Sequence, residues 1–168
     1  MIRPPDPPLR SGDLVLRPWA DDDAPSLAAA WADPEVRRWT GVPERCDLAA
    51  ARRWIGGDDR RTAAGRSLDL VVIRDDEVAG EVGLAAFDAA RTTAELGWWT
   101  APAHRGRGVA SIAVGLVARW ALHEVGLRSV TARCHRDNGA AAAVARHAGL
   151  QPLDVGQAVI TFGMASAG

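Results

Sequence analysis

The 168-residue chain has no lysine, no tyrosine, two cysteines and no long apolar run. Without lysine it cannot build a P-loop, whose glycine-rich turn ends in Lys followed by Ser or Thr. Cys46 and Cys134 are too few for a disulfide framework or a zinc site, so no metal is expected and a reducing cytoplasm is the expected location. No stretch approaches the roughly 18 apolar residues of a membrane span, and no early apolar run resembles a signal peptide. With tyrosine missing, seven Trp and two Phe supply the large side chains. The length suits one domain with a proper core, expected over 13–168, behind a flexible leader at 1–12 that carries Pro4, Pro5, Pro7 and Pro8.

Charge is unevenly spread. Residues 1–102 hold 13 Arg against 18 acids, whereas residues 103–168 hold 7 Arg against 3. The second part thus carries a local excess of four positive charges, which suits a polyanionic ligand but is too modest for a nucleic-acid binder.

That excess includes the most informative stretch, Glu95 to Trp120. Ala94, Leu96 and Trp98 alternate with Glu95, Gly97 and Trp99 at the spacing of a strand, and Pro102 stops the ladder. Val109, Ile112, Ala113, Leu116, Val117 and Trp120 then form one apolar stripe of a helix. The helix packs by that stripe and leaves its N-terminus free, where unpaired N–H groups and a partial positive charge favour anions. In Arg105-Gly106-Arg107-Gly108-Val109-Ala110, two glycines and a small residue let a ligand approach the backbone, and two guanidiniums add charge. The expected ligand is a phosphate or diphosphate. A dinucleotide fingerprint fits less well: Ser111 could almost serve as its third small residue, but Glu124 sits at a helix end rather than at the tip of a second strand.

Around this junction the chain is expected to form a first strand at Leu14–Arg17, and short helices after Asp21-Asp22-Asp23 and Asp33-Pro34. One longer helix is expected from Asp47 to about Ala64. Leu68–Arg74 and Val78–Phe87 read as a hairpin turning at Asp75-Asp76. Val130, Ala132 and Cys134 alternate along a later strand. Asn138 caps a helix ending at Gly149, and a last hairpin points Ala158, Ile160, Phe162 and Met164 one way. Antiparallel strands, then helix, strand, helix and strands make an α+β domain.

The pattern Arg-x-x-Gly-x-Ala at Arg105, Gly108 and Ala110 resembles the acyl-CoA pyrophosphate loop of the GNAT N-acetyltransferase superfamily. The flanking elements, from LVLRPW at Leu14 through the final strand, are most similar to its RimJ/RimL-type branch. The resemblance implies a mixed, mostly antiparallel central sheet flanked by helices, with a splayed strand pair holding acyl-CoA. It assigns pantetheine contacts to Trp98, Trp99 and Thr100, the pyrophosphate to the loop at Arg105, Gly106, Arg107, Gly108, Val109, Ala110 and Ser111, and a pantetheine or adenosine contact to Asn138. Acetyl-CoA would be the co-substrate, and a backbone N–H near Trp99 would hold the oxyanion while an amine attacks directly. Glu95 is the first candidate base and Glu81 the second; the plainer reading of either is a partner for a nearby Arg or a solvent-facing strand residue. Trp31, Trp39 and the Arg37-Arg38 pair become candidate acceptor contacts, against a plainer reading as core and solvated face. His104 is expected in solvent.

Several family features are missing. No Tyr can serve as general acid, Ala141 stands where the branch carries a Ser near the CoA sulfur, Leu150 replaces an aromatic, and Arg133 occupies a position that bears the base in some relatives. The expected function is acetyl transfer to a primary amine, on a protein N-terminus or a small molecule. The alternative is a non-catalytic acyl-CoA-binding module. A nucleotide-binding enzyme fails on the absent Lys and on strand order, and a homodimer is left open.

Overall fold

The computed structural model describes residues 2–166, and it places strands where apolar residues alternate. These are β1 (Leu9–Ser11), β2 (Leu14–Pro18), β3 (Ser67–Arg74), β4 (Glu77–Ala85), β5 (Thr93–Thr100), β6 (Ser129–His135), β7 (Gln151–Val155) and β8 (Val159–Ala165). The helices are α1 (Ala24–Ala32), α2 (Pro34–Trp39), α3 (Leu48–Ile55), α4 (Asp58–Ala63), α5 (Val109–His123) and α6 (Gly139–His147). The strands make one sheet in the order β1-β2-β3-β4-β5-β6-β8-β7, antiparallel throughout except between β5 and β6. This is the mixed, mostly antiparallel α+β sheet flanked by helices that the sequence predicts.

Side-chain alternation divides the core in two. Leu70, Val72, Val82, Leu84, Leu96 and Phe162 face α5 and α6 on one side of the sheet. Val71 and Trp99 face the other way and pack with Trp19, Leu27, Trp31, Val36 and Ile55 beneath α1, α2 and α3. A salt bridge from Arg17 to Asp23 (2.7 Å) ties β2 to the turn that starts α1.

Two expectations change. The leader expected over 1–12 contributes a strand: Leu9–Ser11 pair with Leu14–Leu16, and Ile2 is buried. An outer strand tolerates the preceding prolines because no ladder runs through them. The single helix expected from Asp47 to Ala64 is two, α3 and α4, parted at Gly56-Gly57. Each glycine costs about 1 kcal/mol in a helix interior relative to Ala, and the adjacent pair outweighs the charged periodicity. The hairpin turn at Asp75 and Asp76 has left-handed φ at both residues (51° and 61°), the geometry of a two-residue β-hairpin loop. Among the described residues no helix is long and apolar enough to cross a membrane.

Phe162 is fully buried opposite Ala132. Phe162→Ala is expected to cost about 3–5 kcal/mol, read as a lower urea midpoint at unchanged slope; a loss below about 1 kcal/mol would contradict this packing.

Candidate active site

The β5–β6 ladder is short. Thr93, Ala94 and Glu95 pair with Ser129, Val130 and Thr131, after which β5 runs on to Thr100 and β6 to His135 without pairing each other. Their outer edges stay occupied, β5 by β4 as far as Thr100 and β6 by β8 as far as His135. The facing edges therefore diverge into a wedge whose backbone groups have no ladder partner, a configuration that invites an extended ligand to add as a strand. A cavity of about 520 Å³ fills the wedge, bounded by Leu96–Thr100, by Arg133, Cys134 and His135, and by Ala140, Ala141 and Val144 of α6.

At the far end of β5 lies the glycine-rich turn. Gly106 and Gly108 have φ of 71° and 75°, and a Cβ at either would meet nothing within 4 Å, so the loop is left-handed and open to solvent. No side chain caps α5, which leaves its first N–H groups facing outward. These features fit a diphosphate. Val109 is buried (3 % exposed), so it can offer only its backbone. Arg107 is exposed at the loop, whereas Arg105 turns away to Asp33, which caps α2, and donates from Nε to the Thr100 carbonyl (3.1 Å). That guanidinium holds the Asp33 carboxyl below its usual range. Asn138 lines the cavity while its Oδ1 accepts from the Ala141 N–H (3.0 Å), capping α6.

The two candidate bases share the sheet face opposite α5. Register places three rows side by side: Glu81 opposite Trp99, Gly83 opposite Gly97, and Ala85 opposite Glu95. The carboxylates thus flank a glycine floor, four residues apart along the strands, or roughly 13 Å at about 3.3 Å per residue. Glu95 stands at the root of the wedge and makes no side-chain hydrogen bond among the described residues. Glu81 accepts from Trp19 Nε1 (2.9 Å) and Trp99 Nε1 (3.1 Å). Burial, reinforced by the Asp69 charge, pushes Glu81 up to about 8, although the two indole bonds favour its ionised form. Burial likewise pushes the Cys134 thiol up to about 11.

Other expected contacts are separated by the fold. Trp98 packs toward α5 and Trp99 into the tryptophan cluster, so the two neighbours serve opposite faces. Trp31 is core (4 % exposed) and stands edge-on to Trp54; Trp39 lines the cavity and reaches His135 across it, with ring centroids 5.7 Å apart. Arg37 and Arg38 are solvent-facing, with Arg38 over the Trp39 ring. His104, expected in solvent, is buried (6 % exposed) with Nε2 3.4 Å from Glu77 Oε2. Asp69 was not anticipated. It lines the cavity opposite Gly83, and a lone acid within the apolar run Leu68-Asp69-Leu70-Val71-Val72 was its available signal.

The family model for the acetyltransferase (GNAT) domain matches residues 13–151. The chain belongs to the GNAT acetyltransferase family. It is accordingly an acyltransferase. The uncharacterized N-acetyltransferase p20 of Bacillus licheniformis is 28% identical over 127 residues, 74% of this chain and 71% of p20. Among solved structures, the microcin C7 self-immunity acetyltransferase MccE, in complex with acetyl-CoA and AMP, superposes with a TM-score of 0.80 at 16% identity, covering 92% of this chain and 93% of MccE. RimL, the ribosomal L7/L12 alpha-N-protein acetyltransferase, gives 0.80 at 18% identity over 92% of this chain and 91% of RimL. The likeness to RimL is one of fold.

Gly108→Val forces a β-branched residue into left-handed φ, costing about 1–2 kcal/mol before any steric loss to a ligand. The Kd for CoA is expected to rise at least about tenfold by calorimetry; unchanged affinity would remove this loop from the binding site. A second expectation concerns pH. Between the ordinary glutamate value of 4.5 and about 8, folded Glu81 keeps a proton that the unfolded chain has released. Its contribution to stability therefore falls as pH rises through that window. Glu81→Gln should flatten the decline in Tm from pH 5 to pH 8.5; an identical decline in both proteins would contradict this environment.

Proposed function

We propose that the chain transfers an acetyl group from acetyl-CoA to a primary amine by direct attack, with Glu95 as base. The observation that carries this reading is the position of Glu95: an otherwise unengaged carboxylate at the root of the β5–β6 wedge, immediately before the unpaired stretch that begins at Leu96. An acyl chain added along β5 from the glycine turn would bring its thioester toward that root, and the amine would enter over Gly97, beside which a Cβ would meet nothing within 4 Å. A backbone N–H of β5 near Trp99 would hold the oxyanion, since a donor fixed in the sheet needs no reorganisation.

An acyl-enzyme is disfavoured by the same surroundings. Cys134 lines the cavity, but a thiol raised to about 11 is not a thiolate at neutral pH. The amine must then attack directly, and Glu95 would take the proton of the ammonium itself or through water. With no Tyr in the chain, the CoA thiolate would leave unprotonated, which a thiol pKa of about 8.5 makes tolerable. The alpha-N-protein activity in RimL's name supports a protein N-terminus among the acceptors to be tried.

Glu95→Gln is expected to lower kcat by about 100-fold, the low end of general-base contributions, with the CoA Kd unchanged. Thiol release against a panel of amines and peptides measures it. An unchanged kcat would move the base to Glu81, and acetyl-CoA binding without release on any acceptor would favour the non-catalytic acyl-CoA-binding alternative.

A further inference from the structure

The trough that leads to Glu95 contains an oriented carboxylate with one free oxygen. Asp69 Oδ2 accepts from Ser67 Oγ (2.7 Å) and faces Arg61 Nε at 3.7 Å. Asp69 Oδ1 takes no hydrogen bond among the described residues and lies over Gly83, so close that a Cβ there would come within 2.5 Å of it. Glycine at 83 is what lets this oxygen reach across the sheet toward Gly97. The nearest built-in cation, Arg61, pairs with the other oxygen, Oδ2, and donates from its terminal nitrogens to Asp58 Oδ1 (3.1 Å) and to the Trp54 carbonyl (2.6 Å), with its guanidinium 4.0 Å over the Trp54 ring. Both oxygens of Glu81, beside it, are taken by indole N–H groups. The positive side chains that line the cavity are Arg105, engaged with Asp33, and Arg133, on the opposite wall. The floor from Gly83 to Gly97 thus presents the free oxygen of Asp69 and no side chain that would obstruct a linear ligand.

We propose that the acceptor is a small unbranched amine bearing a second cationic group, which Asp69 Oδ1 holds across the Gly83–Gly97 floor while the reacting nitrogen sits at Glu95. This rests on the transferase reading and specifies its substrate class. Asp69 Oδ1 lies over Gly83, and Gly83 and Glu95 are diagonal neighbours across β4 and β5, roughly 7–8 Å apart. About four or five methylenes cover it. A carboxylate with an unused oxygen in a partly desolvated trough pairs strongly with an ammonium, because charge-assisted hydrogen bonds exceed neutral ones.

The test compares α,ω-diamines of four and five carbons with n-alkylamines of equal length, by thiol release with saturating acetyl-CoA. Diamines are expected to show at least about tenfold higher kcat/KM. Asp69→Asn should reduce the diamine-to-monoamine ratio toward one, and Gly83→Ala, which displaces the carboxylate by another route, should do the same. Equal rates for the two series, a ratio untouched by Asp69→Asn in a protein of unchanged Tm, or a preference for N-terminal peptides over diamines would overturn the proposal. If no amine releases thiol, the transferase reading falls separately. Calorimetry of 1,4-diaminobutane against the CoA-bound protein then decides: saturable binding lost in Asp69→Asn supports the diamine site, and no binding overturns it.

Discussion

The last parallel pair between β5 and β6 joins Glu95 to Thr131, and each strand is held beyond that point only by its outer neighbour. Because β4 follows β5 to Thr100 and β8 follows β6 to His135, neither strand can bend back to close the gap without breaking a complete antiparallel ladder. The open edges are therefore a consequence of sheet order, held in place by the summed hydrogen bonds of two flanking pairs. Helix α6, set against α5 and β6, fills the cleft's far side with small residues, Ala140, Ala141 and Val144. The glycine-rich turn follows shortly after β5, so a chain laid along the free edge would have that turn at one end and Glu95 at the other.

The second core carries a different constraint. Trp19 stacks on Trp99 and stands edge-on to Trp54, which stands edge-on to Trp31, so four indoles brace α1 and α3 against the sheet. Two of their N–H groups must find acceptors where water is scarce, and Glu81 supplies both. A carboxyl placed there to satisfy indoles sits in an environment that resists its own charge. This separates the two glutamates in role: Glu81 is integral to packing, while Glu95 is free of such ties.

Much of the fold was legible because each element obeys its own period. The alternation through Ala94–Trp99 and the stripe from Val109 to Trp120 needed no tertiary context, and Gly108 before an uncapped helix is a local backbone requirement for left-handed φ. Where two local signals competed, pattern misled. Charged helical periodicity concealed the break at Gly56-Gly57, and proline content concealed strand β1. The burial of His104 was invisible because the turn that carries it packs against β4, where its partner Glu77 stands 27 positions earlier.

The amino-acid sequence by itself determined the strand–glycine turn–helix unit, the polarity of its anion-favouring end, the absence of a Tyr acid and the family to which these belong. The unit and its polarity depend on residues within a few positions of one another, while the missing Tyr and the family are read from the composition and order of the whole chain. Tertiary structure alone decided which groups share the trough. Asp69, Gly83, Gly97 and Glu95 come from three strands, and only antiparallel register, which fixes every side chain to one face or the other, sets them in adjoining rows. Arg105 illustrates the same division. Its place in the turn follows from the chain, but its commitment to Asp33 depends on the start of α2 lying beside the turn after β5, a contact between residues 72 positions apart.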